Sequence, residues 1–105
     1  MPLPGIEWDE EKNAINKAVH HIDFEDAQYI FFDTGRLERI DQSKGNVSGE
    51  ERLQTLGMVG KVLFAVYTER GKNKRLISAR LATKAERRAY NGYYQIDGSG
   101  WYKAT

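Results

Sequence analysis

The sequence predicts an α+β domain with two N-terminal helices, a four-stranded antiparallel sheet and a C-terminal helix. Three observations carry this. Apolar residues recur at helical spacing up to Phe31, they alternate in β-branched runs from Arg36 onward, and Thr83–Glu86 then reads as the capping box of a new helix.

The first helix is expected from Glu10 to His20 or His21. Asp9 is placed to cap it, and Glu10 and Glu11 suit the positive end of its dipole. Ile15, Ala18, Val19 and Ile22 form its apolar stripe, and Asn13, Asn16, Lys17 and His20 share a neighbouring polar face. Asp23 can cap a second helix carrying Phe24, Ala27, Gln28, Ile30 and Phe31, stopped by Asp33–Gly35.

RLERI from Arg36, ERLQTLGMVG from Glu51, KVLFAVYTER from Lys61 and RLISARLA from Arg75 supply the four strands. A turn-rich loop between Asp41 and Glu50 and the turn Gly71–Lys74 join them into a meander. The third helix runs from Thr83 to about Tyr90. The glycine-rich, aromatic segment 91–105 is an added strand, a docked tail or a partly disordered end.

This length suits one modest core. The chain has no cysteine, which excludes disulfides and thiolate chemistry. No basic, apolar leader opens it, and the longest apolar run, Val62 to Tyr67, is too short to span a bilayer, so a cytoplasmic protein is expected.

The formal charge of +1 conceals an asymmetry. Residues 1–35 hold 2 basic and 8 acidic side chains, whereas residues 36–90 hold 13 and 6. The second region offers a surface for an anion: phosphate, an acidic partner or the chain's own N-terminal segment.

Several segments together resemble the BrnT family of bacterial toxins. They are WDEEKN from Trp8, Asn16, His20, FEDA from Phe24, GEERLQTLG from Gly49, VYTERG from Val66, ISAR from Ile77, and AT followed by ERRAY ending at Tyr90. The resemblance implies a RelE-like ribonuclease toxin domain over residues 1–90, with 91–105 as a tail beyond it. It also implies an RNA substrate, a ribbon-helix-helix antitoxin similar to BrnA, and operator DNA bound only through the toxin–antitoxin complex.

The site residues it implies are His20, Arg52, Tyr67, Arg70, Arg80, Glu86, Arg87 and Tyr90. Lys17, on the face of His20, joins them as a phosphate contact. Similar proteins usually read Lys-His-Gly around the histidine, whereas this chain has Val19, His20 and His21.

Metal-independent RNA cleavage needs a base for the 2'-hydroxyl, cations around the phosphate and an acid for the departing oxygen. Arginine suits the middle role through its planar, permanently charged fork. Arg80 within ISARLA ranks first and Arg70 second.

Hairpin register decides whether they share a face: pairing Arg70 with Lys74 unites them, and pairing it with Arg75 separates them. Glu86 suits either a base or a capping carboxylate. Tyr67 and Tyr90 suit base stacking, phosphate binding or a place in the core or rim. Adjacent histidines do not match the i, i+4 spacing of a helical metal site, so no metal or cofactor is expected. The alternative to a nuclease is a catalytically silent relative that binds an antitoxin or nucleic acid through the same basic face.

Overall fold

A computed structural model describes residues 1–42 and 50–105; the turn-rich loop expected between Asp41 and Glu50 lies largely outside the described residues. The elements run β1 (Ile6–Trp8), α1 (Glu10–His20), α2 (Phe24–Ala27) continued by a 3-10 turn (Gln28–Phe32), β2 (Leu37–Ile40), β3 (Arg52–Val59), β4 (Lys61–Arg70), β5 (Asn73–Leu81), α3 (Lys84–Tyr90) and β6 (Tyr102–Lys103).

The four expected strands are present, but the sheet has six and is mixed. Its order is β1-β5-β4-β3-β2-β6, with β1 parallel to β5 and β6 antiparallel to β2. The four-stranded antiparallel sheet is therefore corrected at both edges. Three residues are too few for a legible period, yet β1 buries Ile6 and Trp8 in the core. At the other edge the C-terminal segment returns, and β6 pairs beside Leu37 and Glu38.

Each sheet face carries its own apolar cluster. On one, Trp8, Phe24, Ala27 and Ile30 pack on Leu63, Ala65, Leu76 and Ala79. The approach is close: a Cβ on Gly57 would meet the Ile30 side chain at 2.5 Å, so β3 admits only glycine beneath the 3-10 turn. On the other face, Leu37, Leu56, Val62 and Phe64 pack with Ala82, Ala89 and Trp101.

Helix α1 reverses the expected assignment of its faces. Ile15 and Val19 are 63% and 62% exposed, while Asn13 and Asn16 are buried. Hydrogen bonding explains the exchange. Asn16 accepts from the Ala79 N–H at 3.0 Å and donates to the Ala79 and Ile22 carbonyls, both at 2.9 Å. Asn13 accepts from the Phe24 N–H at 2.8 Å. β1 ends opposite Leu76, which leaves the β5 edge beyond it open, and one carboxamide closes that edge in place of a strand. Leaving such buried backbone groups unpaired costs about 1–3 kcal/mol each, and the four that Asn13 and Asn16 satisfy together outweigh the roughly 1.5–3 kcal/mol an isoleucine gains by turning inward.

The helix ends match their sequence signals. Asp9 accepts from the Glu11 N–H at 2.8 Å, and Thr83 and Glu86 form the capping box. His21 ends α1 with φ 60°, the left-handed conformation that glycine adopts most easily.

Candidate nucleic-acid interface

The hairpin β4–β5 adopts neither simple register. Arg70 pairs with Asn73, Thr68 with Arg75 and Tyr67 with Leu76, but Val66 then pairs with Ser78 and Phe64 with Arg80. The extra residue on β5 is Ile77. Without it the alternation would send Arg80 to the face opposite Arg70; with it, Arg70, Thr68, Arg75, Ser78 and Arg80 share one face. A one-residue bulge thus does what a pairing with Lys74 would have done.

α3 and Trp101 cover part of this face, and the rest is open. Along the open part, between α1 and β5, runs a groove formed by two adjoining cavities that share Lys12 and Ile77. The first, of about 230 Å³, is bordered by Ile15, Asn16, Val19, His20 and Ser78. The second, of about 220 Å³, is bordered by Glu50, Arg52, Thr68, Arg70 and Arg75. The groove therefore has an apolar end with a histidine and a basic end.

The fold brings His20, Arg52 and Arg70 together along this groove. Lys17 lies outside it, exposed and 3.5 Å from Asp23. Arg80 and Glu86 meet each other instead: Arg80 Nη1 and Nη2 donate to the two Glu86 oxygens at 2.8 and 3.0 Å, and the guanidinium lies 3.9 Å from the Phe64 ring centroid. Burial works to raise the Glu86 carboxyl. The Arg80 hydrogen bonds, the Thr83 N–H and the Arg80 charge outweigh it and hold the group below the usual carboxylate range. Glu86 is thus an ionised carboxylate at neutral pH that also fastens α3.

Arg87 donates to the Ala82 carbonyl at 3.0 Å. Tyr67 is 1% exposed, stacks edge-on against Phe31 and donates its hydroxyl to Glu38, so its ring is not free to meet a base. Burial first, and then the Glu38 hydrogen bond, push its phenol far above the usual value. Tyr90 donates to Asp33 at 2.5 Å, and burial together with that bond pushes it up to about 12. Both tyrosines keep their protons near neutral pH.

Sequence reasoning missed Lys12 and Arg75 as groove residues. Lys12 lies among the acidic residues that begin α1, and a pairing of Arg70 with Lys74 would turn Arg75 to the opposite face. The pairing of Arg70 with Asn73 brings Arg75 into line, and the bulge that then keeps Ser78 and Arg80 on the same face leaves no periodic signal. It also missed the groove's apolar wall, because Ile15 and Val19 had been assigned to the core. Among the described residues, no helix is long and apolar enough to cross a membrane.

The chain was compared with known proteins. No curated protein matches it significantly. A solved structure, the 1.1 Å crystal structure of the Brucella abortus ribonuclease toxin BrnT, is similar in fold: the TM-score is 0.54 at 24% identity, over 75% of this chain and 96% of that one. The model of the family described as "Ribonuclease toxin, BrnT, of type II toxin-antitoxin system" matches residues 8–86, which run from the last residue of β1 to the first turn of α3 and include His20, Arg52, Arg70, Arg80 and Glu86. With that much of its length matched, the chain belongs to the BrnT family of ribonuclease toxins of type II toxin–antitoxin systems.

Proposed function

We propose that the protein is an endoribonuclease that cleaves RNA without a metal ion, slowing translation and growth, and that a ribbon-helix-helix antitoxin similar to BrnA restrains it. One juxtaposition supports this reading: His20 and Ser78 border one end of an open groove whose other end is lined by Arg52 and Arg70, with Arg80 two residues beyond Ser78 on the same face.

In the proposed reaction the 2'-oxygen attacks the phosphorus and loses its proton to a base. The P–O5' bond breaks, and the departing oxygen takes up a proton. Arg80 steadies the charge building on the phosphate, with Arg70 and Arg52 holding the backbone beside it. Histidine is the side chain whose ordinary charge change falls near neutral pH, so His20 carries the proton transfer in preference to the two proton-retaining tyrosines. Glu86 orients Arg80 and is the second candidate base. The antitoxin covers the groove and the exposed Ile15 and Val19 beside it, and operator DNA is reached only through that complex.

The test is cleavage of purified RNA in excess chelator, with His20→Ala and Arg80→Ala as controls and the product ends read for a 2',3'-cyclic phosphate. Cyclic ends lost in both variants are expected. A folded wild type that cleaves nothing, with or without ribosomes, overturns the reading in favour of a silent binding module.

A further inference from the structure

Thr68 and Thr55 are both buried threonines of the central strands, 2% and 0% exposed. The Thr55 hydroxyl is fully employed, donating to the Leu37 carbonyl at 2.7 Å and accepting from Arg36 at 3.2 Å. The Thr68 hydroxyl is buried and has no hydrogen-bond partner among the described residues. A buried hydroxyl without a partner is costly, and such a group calls for an explanation.

The surroundings of Thr68 indicate the use. It pairs across the sheet with Arg52 on one side and Arg75 on the other, and Arg70 follows two residues along its own strand. Lys12 borders the same cavity from α1. Cations crowded onto neighbouring strands repel one another.

Among the described residues, two carboxylates answer them. Glu50 borders the cavity, and Glu7 stands 3.5 Å from Arg75 and 3.9 Å from Arg70, too far to bind either fork closely. Arg52 and Lys12 make no ion pair or side-chain hydrogen bond among the described residues. An excess of positive charge thus lines a cavity of about 220 Å³ whose wall includes Thr68, its buried hydroxyl unpaired among the described residues.

We propose that this cavity is a subsite for one phosphate of the RNA backbone, next to the phosphate that is cleaved. Thr68 donates its hydroxyl to one phosphate oxygen, and Arg52, Arg70 and Arg75 take the others. Glu7 yields its loose hold on the two arginines as the anion enters. The inference rests on the RNA-cleaving reading above and adds that the grip is built around Thr68 and Arg75. It fixes where along the groove the strand is held, with the scissile bond toward His20.

The test uses an RNA oligonucleotide 2'-O-methylated throughout, which binds without being cleaved. Its affinity is measured for the wild type, Thr68→Val and Arg75→Gln as a function of salt, with inorganic phosphate as competitor. Thr68→Val keeps the side-chain shape and removes the hydroxyl. A melting temperature equal to or above that of the wild type is expected, with affinity lowered about tenfold and competition by phosphate abolished. Arg75→Gln is expected to flatten the log-affinity against log-salt slope by about 0.7, the loss of one phosphate contact on a single strand.

Wild-type affinity and salt slope in both folded variants overturn the subsite. If RNA is still cleaved in a His20-dependent way in that case, the ribonuclease reading survives without it. Binding that depends on Thr68, in a protein that cleaves nothing, upholds the subsite and sinks the ribonuclease reading.

Discussion

The two ends of one sheet face use the same residue type in opposite ways. At the covered end, arginines are committed. Arg80 lies on Phe64 and grips Glu86 with both nitrogens. Arg39 lies 4.1 Å from the Trp101 ring centroid while bonding Gln54 and the Ser99 carbonyl, each at 2.7 Å. At the open end, Arg52 has no partner among the described residues, and Arg70, about half exposed, is held only by Glu7 at 3.9 Å. Charge counting treats all of these alike. Partners separate the arginines that also build the molecule, Arg80 among them, from those without a structural task, since a loose exposed pair contributes about 0–1 kcal/mol.

The largest effect that breaks the contrast comes from removing the platform at the covered end. Trp101→Ala takes away a 5% exposed ring packed edge-on against Phe64 and stacked beneath Arg39. We expect a loss of about 3–5 kcal/mol in urea unfolding, as for other buried tryptophans.

Next come the arginines themselves. Arg70→Ala should lower kcat/KM for RNA by about 10²-fold while leaving stability within about 0.5 kcal/mol. Arg80→Ala should lower both, because it also uncouples Glu86 and bares Phe64. Equal stability losses in the two variants would erase the distinction between the ends.

The smallest effect is in pH. Burial alone would raise the Asp33 carboxyl, but hydrogen bonds from Tyr90 and from the Met58 and Gly35 N–H groups hold it below its usual value, as Arg80 and Thr83 do for Glu86. Groups depressed in this way stabilise the fold fully above their unfolded values, near 3.8 and 4.5, and lose that contribution as pH falls through the folded values. Urea midpoints should therefore be flat from neutral pH to about 5 and drop below 4. In Asp33→Asn the drop should be shallower.

How much of this was legible depends on the length scale of each cause. Helix caps and strand periods are local, and Asp9, the Thr83–Glu86 box and the four central strands were readable from neighbours in sequence. The bulge at Ile77 arises from pairing between two strands, and one inserted residue decides which face Arg80 occupies. The inward turn of Asn16 answers a need at Ala79, 63 residues away, that no helical period contains. Trp101 was visible as an aromatic in a glycine-rich tail, but its place against Phe64 depends on the chain returning to β2. Of the groove, the resemblance supplied His20, Arg52 and Arg70; the shared face of Thr68, Arg70 and Arg75 required the observed register.

The closure of the β5 edge by Asn16 has a consequence for access. A strand continuing β1 past Trp8 would have satisfied the same backbone groups, but its width would have lain alongside Ile77 and Ser78. A carboxamide does the pairing within the breadth of one side chain. The cavity between α1 and β5, bordered by Asn16, Ile77 and Ser78, is the opening that the proposed function assigns to the RNA strand. A contact that reads as structural on its own also sets the width of that opening.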